Sequence, residues 1–232
     1  MARRRKRPPA KGRSRLRRWL RNLALAILIG PPAVILLYGI LPPPGTPLML
    51  LRLADGESLT RDWEPLERID PALARSVIAA EDNLFCQHFG FDWAALGEAF
   101  DDYVEGNGRR GASTISQQTA KNLFLWPGRN FVRKGLEAYL TVWLELILTK
   151  RRILELYLNV AEWGPGLYGA EAAARHYFGK PADSLSAFEA SQLAALLPAP
   201  RDWRPGQPWV AERAAVIRRR IGQLGPLLDC AS

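Results

Sequence analysis

The chain has 232 residues, 48% of them hydrophobic, with 32 Lys or Arg against 23 Asp or Glu and a net charge of +9. That apolar share supports a packed core and excludes a disordered chain, and the length allows one good-sized domain plus an accessory segment. The charge excludes a nucleic-acid-binding body: eleven cations lie in residues 1–21, and the other 211 residues carry 21 bases and 23 acids.

Residues 1–21 read as a basic cytoplasmic tail and 22–41 as a transmembrane helix. The run LALAILIGPPAVILLYGIL, Leu23 to Leu41, holds no charge and approaches the ~20 residues needed to cross a bilayer. Pro31 and Pro32 near its middle are tolerable if the freed carbonyls find partners. A cleavable leader has an apolar core of only ~7–15 residues and a small-residue cleavage site, whereas LPPPGTP follows here. The cations keep the N-terminus cytoplasmic, so everything after about residue 45 lies across the membrane. In a bacterium this describes a single-pass protein of the inner membrane with a periplasmic domain.

Residues 42–65 form a linker, stiff at PPPGTP, with apolar stretches around DGES that allow a short hairpin. Residues 66–232 form the globular domain, mainly α. Asp70-Pro71 is a helix cap followed by proline at the first position. GNGRRGAST (106–114) is a glycine-rich flexible loop, and Thr114 with Gln117 makes a capping box. Pro127-Gly128 stops that helix. A long helix is expected from about Phe131 to Val160, ended by WGPGLYG, and a further one closes on Gly179. LSAFEASQLAALL and about Val210 to Gln223 are the last two helices.

SVIAAEDNLFCQH (76–88) sets two adjacent acids in an apolar run. On a helical wheel with Leu73 at zero, Leu84, Val77, Phe85 and Ile78 span an arc from about 20° to about 140°. Glu81 falls near 80°, inside the arc, and Asp82 near 180°, at its rim, by the same spacing. Burial and the negative helix end both raise a glutamic acid's pKa toward proton exchange at neutral pH. On this helix alone Glu81 is either such a group or the partner of an arginine. Asp82 reads as support, bonding backbone or a basic neighbour.

RRGASTISQQTAKNLF (109–124) gathers hydroxyls and amides at a helix start. Ser113, Thr114, Gln117 and Gln118 there suit phosphate or sugar oxygens. Lys121, Arg129, Arg133 and Lys134 follow, with Glu137 the only acid from Gly106 to Leu144. Positives flanking a polar, glycine-hinged loop favour an anionic ligand. In FLWPGRNF, the residues Phe124, Leu125, Trp126 and Phe131 are either core or membrane-facing, and beside a span we expect partial insertion into the outer leaflet. Cys86 and Cys230 either pair or remain buried thiols, and Cys86 with His88 is too sparse for zinc.

AAEDNLFCQHFGFD, GASTISQQTAKNLF, RKGLE and KRRILELYLNVAEWGPGLYGAEAAARHYFGK resemble, in order and spacing, the motifs of the peptidoglycan glycosyltransferases that polymerise lipid II. The resemblance covers about Leu66 to Pro205. With no S-x-x-K or K-T-G in the chain, it is to the monofunctional, membrane-anchored members. It implies a lysozyme-like helical fold and release of undecaprenyl pyrophosphate with inversion. Glu81 matches the catalytic base and Glu137 the second essential glutamate. Lys121 and Arg129 match the cations that hold the pyrophosphate, often with a divalent metal (Mg or Mn) whose ligands are unknown. Ser113, Gln117, Gln118, Arg133 and Lys134 match donor-site positions. The partners implied are lipid II, the growing glycan and divisome proteins, with no organic cofactor.

Overall fold

The computed structural model of the chain describes residues 11–106, 111–128 and 130–231. Its first helix, α1 (Lys11–Tyr38), begins inside the basic tail and includes Pro31 and Pro32. Residues 15–38 are long and apolar enough to cross a membrane, an 18-residue window within them has a mean hydropathy of 1.9, and nearly all of that window is exposed. The helix lies nearer the N-terminus than expected, since Gly39, Ile40 and Leu41 leave it in a turn. Pro31 has no N–H for the Ile27 carbonyl four residues back. Tyr139 Oη donates to that carbonyl instead, at 2.9 Å.

The exit of α1 is fastened to the domain. Arg152 donates from Nε to the Tyr38 carbonyl at 2.8 Å and from Nη2 to the Leu41 carbonyl at 3.0 Å, placing a cation at the negative helix end. Arg61 donates to the Pro43 carbonyl at 2.6 Å. Both guanidinium groups lie 5.5 Å from the ring centre of Trp63.

The linker holds a helix where a hairpin was expected. In α2 (Pro47–Ala54), Thr46 accepts from the Met49 N–H at 3.3 Å and Pro47 takes the first position. Thr-Pro here is the same start signal as Asp-Pro at residue 70. The strand that remains, β1 (Thr60–Arg61), pairs in parallel with the distant β3 (Leu167–Tyr168), and β2 (Glu162–Gly164) runs antiparallel on the other side of β3.

Helix α3 (Pro71–Glu81) starts as read, with Asp70 accepting from the Ala72 N–H at 2.8 Å. It stops sooner than the wheel assumes: Asp82 has φ −163°, and Leu84 and Phe85 belong to the turns that follow. Next come α4 (Trp93–Val104) and α5 (Ile115–Phe124), the latter opened by the Thr114–Gln117 capping box. The long helix expected over 131–160 is two, α6 (Phe131–Ile147) and α7 (Lys150–Val160). Thr149 restarts it, its hydroxyl accepting from the Arg152 N–H at 3.2 Å, because a local cap competes with continuation of the helix. Then follow α8 (Ala170–Phe178), closed by left-handed Gly179, α9 (Ala187–Leu196) and α10 (Pro208–Leu224).

The core forms around α7, where every residue from Leu156 to Val160 is at most 1% exposed. Helices α5 and α6 pack beside it, and α3 packs on α9 and α10. Asn159 in α7 receives the Glu64 N–H at 2.9 Å and donates to the Glu64 and Glu155 carbonyls, joining the linker's end to the core. Cys86 and Cys230, left open by the sequence, form a disulfide that ties the turn after α3 to the C-terminal turn.

That bridge closes a sequence separation of 144 residues. A Cys86→Ala/Cys230→Ala double variant should lose about 2–4 kcal/mol of stability, seen as a lower urea midpoint in detergent. Reductant should lower the midpoint of the wild type and leave that of the variant unchanged.

Candidate active site

Glu81 closes α3 with its side chain 14% exposed. Asp82 is deeper, at 1%, so the wheel's order of depth is reversed. Once α3 ends, the extended backbone at Asp82 turns its carboxylate inward, where it meets the start of α5. Its Oδ2 accepts from the Ile115 N–H at 2.9 Å, and Oδ1 accepts from His88 Nε2 at 2.8 Å. An anion there complements the positive end of α5. The bonds to backbone and to a basic neighbour are those expected of Asp82.

A second tie lies nearby. Thr114 Oγ1 donates to the Gly90 carbonyl at 2.8 Å. Gly90 has φ +81°, and a Cβ there would stand 2.8 Å from Thr141 Cγ2 and 3.0 Å from Glu145 Cγ. Only glycine lets this loop lie against α6.

With these starts fixed, α5 faces Glu81. Gln118 Nε2 donates to Glu81 Oε2 at 3.0 Å and to the Ser113 carbonyl at 3.3 Å, and Gln118 Oε1 accepts from Tyr157 Oη at 3.0 Å. From α10, Arg213 Nη2 stands 3.5 Å from Glu81 Oε1. Burial pushes the Glu81 carboxyl above the usual carboxylate range, and the Asp82 charge adds to the rise. The Gln118 hydrogen bond and the charges of Arg213 and Lys121 oppose it. The result is a shielded carboxylate with one firm donor and one loose cation.

Glu137 on α6 has the opposite surroundings. It is 3% exposed and holds Arg133 Nη1 on Oε2 at 3.0 Å and the Lys134 ammonium on Oε1. Lys134 also donates to Ser113 Oγ at 3.1 Å, linking α6 to the loop before α5. Lys121 on α5 lies in the fields of both glutamates. Burial lowers its pKa, Glu137 and Glu81 hold it up, and Arg133 and Lys134 add to the lowering. No carboxylate among the described residues pairs with its ammonium. Beside it opens a pocket of about 330 Å³ lined by Leu48, Lys121, Asn122, Trp126, Gly128 and Arg133, so that two cations share its wall with apolar side chains.

The structure therefore gathers Glu81, Ser113, Gln118, Lys121, Arg133, Lys134 and Glu137 along facing sides of α3, α5 and α6. Gln117 differs. It is 3% exposed, and its Oε1 accepts the Thr114 N–H in the capping box, so its carboxamide serves the helix start and its expected place in the donor site gains no geometric support. Gln118 touches Glu81 itself. Arg129 and residues 107–110 of the glycine-rich loop lie outside the described residues. The apolar loop divides: Phe124 and Leu125 pack against the core, while Trp126 and Phe131 are 44% and 97% exposed.

Sequence reasoning did not reach Tyr157 or Arg213. Arg213 comes from the last long helix, and no local pattern points from it to Glu81. Tyr157 reads as one more apolar position on α7, where only its hydroxyl hints at a polar duty.

A transglycosylase family model matches residues 49–222 of the chain. A biosynthetic peptidoglycan transglycosylase of Caulobacter vibrioides is 49% identical over 226 residues, covering 94% of this chain and 98% of that protein. Proteins described in the same words from Rhodospirillum centenum and Pseudomonas aeruginosa are 54% and 49% identical, over 89% and 90% of this chain and 90% and 95% of their own lengths. With that match running through the helices that carry Glu81, Lys121 and Glu137, the chain belongs to the transglycosylase family and is an enzyme of peptidoglycan synthesis.

Proposed function

We propose that this transglycosylase polymerises lipid II, with Glu81 as general base. The base takes the proton from the 4-hydroxyl of the acceptor's N-acetylglucosamine. That oxygen bonds to the anomeric carbon of the donor's N-acetylmuramic acid from the far side. The anomeric carbon–oxygen bond to undecaprenyl pyrophosphate breaks, and the electron pair leaves with the phosphate oxygen, giving inversion.

The observation that carries this reading is Lys121, a half-buried ammonium that meets both glutamate fields without an ion-pair partner among the described residues. Such a cation in the wall of a half-apolar pocket suits a diphosphate on a lipid chain. Pyrophosphate leaves readily once its charge is met, so the site needs cations more than a strong acid. Glu137, clamped between Arg133 and Lys134, is suited to orient those cations. Both its oxygens are engaged, and the described residues offer no cluster of three or more ligands for a metal. The donor set does not fit a protein-held Mg or Mn, and such an ion would have to ride on the pyrophosphate oxygens.

The polar tail and apolar α1 support an inner-membrane protein with its N-terminus in the cytoplasm and its catalytic domain in the periplasm. Exposed Trp126, Phe131 and Val132, with Leu50, Leu51 and Leu53 of α2, make an apolar rim suited to the outer leaflet, where both lipid-linked substrates reside. Divisome proteins are partners in keeping with that location.

Incubation with purified lipid II should yield glycan polymer, and incubation with intact sacculi should release no muropeptides; the reverse pattern refutes the polymerase. Glu81→Gln should lower turnover by about 10²–10⁴-fold with the fold retained. As a base, Glu81 must be ionised to act, and its raised pKa sets the acid limb of the wild-type pH profile above the ~4.3 of an ordinary glutamate. For stability the sign is opposite: protonated Glu81 favours the fold, and that contribution fades as pH rises through the raised pKa. Lys121→Ala should raise the donor KM about 10–100-fold, the loss of a charged hydrogen bond, and unchanged affinity for the lipid pyrophosphate would refute the cradle.

A further inference from the structure

We propose that Tyr157 is a positioning residue for the base, acting through Gln118. This rests on the assignment of Glu81 above. The three side chains form one directed chain: Tyr157 Oη donates to Gln118 Oε1 at 3.0 Å, and Gln118 Nε2 donates to Glu81 Oε2 at 3.0 Å. A carboxamide can present either end to a carboxylate, and only the N–H end is attractive. Two groups fix which end Glu81 meets. The Ser113 carbonyl, acceptor only, lies 3.3 Å from Gln118 Nε2, and Tyr157 holds the oxygen end.

Tyr157 suits the task because packing surrounds it. It is 1% exposed on a core helix, where α7 packs directly on α5. Its hydroxyl makes no other hydrogen bond among the described residues. Burial, with the charges of Glu81 and Asp82, raises the phenol well above its ordinary range, so the hydroxyl keeps its proton at neutral pH. The groups that face Glu81 are Gln118 and Lys121 from α5, Arg213 from α10 and Asp82 beside it. Of the influences opposing burial at Glu81, the Gln118 hydrogen bond is the largest. Tyr157 thus keeps the base ionised in a site that shields it, and it fixes the oxygen to which the acceptor hydroxyl must deliver its proton.

The test is the pH dependence of lipid II polymerisation by the full chain in detergent. In Tyr157→Phe the acid limb of kcat/KM should move upward by about half a unit or more, as expected when a carboxylate loses hydrogen-bonded support. Turnover should fall about 3–10-fold on that limb and recover at alkaline pH, with the donor KM unchanged. A purely structural role would depress activity at every pH and lower the melting temperature. Gln118→Met, at a partly exposed position, should shift the limb the same way, and the double variant should shift it no further, since coupled residues are not additive. A limb that stays put in Tyr157→Phe, or additive shifts in the double variant, overturns the inference. If Tyr157→Phe melts early, an unmoved limb in Gln118→Met overturns it equally. Glu81→Gln run alongside separates the two claims: wild-type turnover there sinks the base itself, whereas an inactive Glu81→Gln with an unmoved Tyr157→Phe limb sinks only the role of Tyr157.

Discussion

Three segments meet on the carboxylate of Asp82. It ends α3, one residue beyond Glu81. It accepts the first N–H of α5, which carries Gln118 and Lys121, and it holds His88 of the intervening turn. An unpaired carboxylate at this depth would be strongly unfavourable, and two donors with a helix's positive end offset that. The geometry of the site follows. With α3 and α5 joined at their ends, Glu81 and Gln118 face each other, and Gly90 lets the loop between them lie flat against α6.

The same economy governs how the domain meets its apolar helix. A proline in a helix leaves a carbonyl without its N–H, and in lipid no water can replace it. Here Tyr139 of α6 donates to the Ile27 carbonyl that Pro31 frees, and α6 also carries Arg133, Lys134 and Glu137. Arg152 collects the carbonyls where α1 ends, and α7, on which it lies, carries Tyr157. The helices fastened to α1 are thus α6, which carries Glu137, and α7, which carries Tyr157. The domain is joined to α1 by donor–acceptor bonds as well as by the chain itself.

What the sequence shows is what is local. Caps at Asp70 and Thr114, the breaks at Pro127-Gly128 and WGPGLYG, and the glycine closing α8 each depend on a few neighbouring residues, and each stands where it was read. The failures also have local causes. Thr46-Pro47 looks like linker in a proline-rich stretch although it carries the same start signal as Asp70-Pro71, and Thr149 is hidden by its helical flanks. The wheel failed at Asp82 because it assumed a helix that had ended, and the group stabilising the other conformation is an N–H 33 residues away. Tyr157, 39 residues from Gln118, and Arg213 in α10 were beyond any pattern in one chain. Glu81 is legible as a charge in an apolar arc and Lys121 as one of a run of cations, whereas the role of Glu137 comes from the family resemblance alone, and the partners of Glu81 are not legible at all.

Those partners divide the work between the two glutamates. Glu137 is met by a guanidinium and an ammonium on one helix, so its charge is spent within the protein and it serves as a fixed negative post around which cations gather. Glu81 is met by a neutral amide and a guanidinium at 3.5 Å, so its charge is sheltered but not neutralised. An anion in that state gains most by taking a proton, which is the property a base needs. On the proposed function, exchanging the two environments would disable both: a twice-paired Glu81 would be too stable to accept a proton, and a sheltered, unpaired Glu137 would repel the pyrophosphate assigned to Lys121. The difference lies in which helix supplies the neighbours, α5 and α10 for one and α6 itself for the other, and so it is fixed by packing before any substrate arrives.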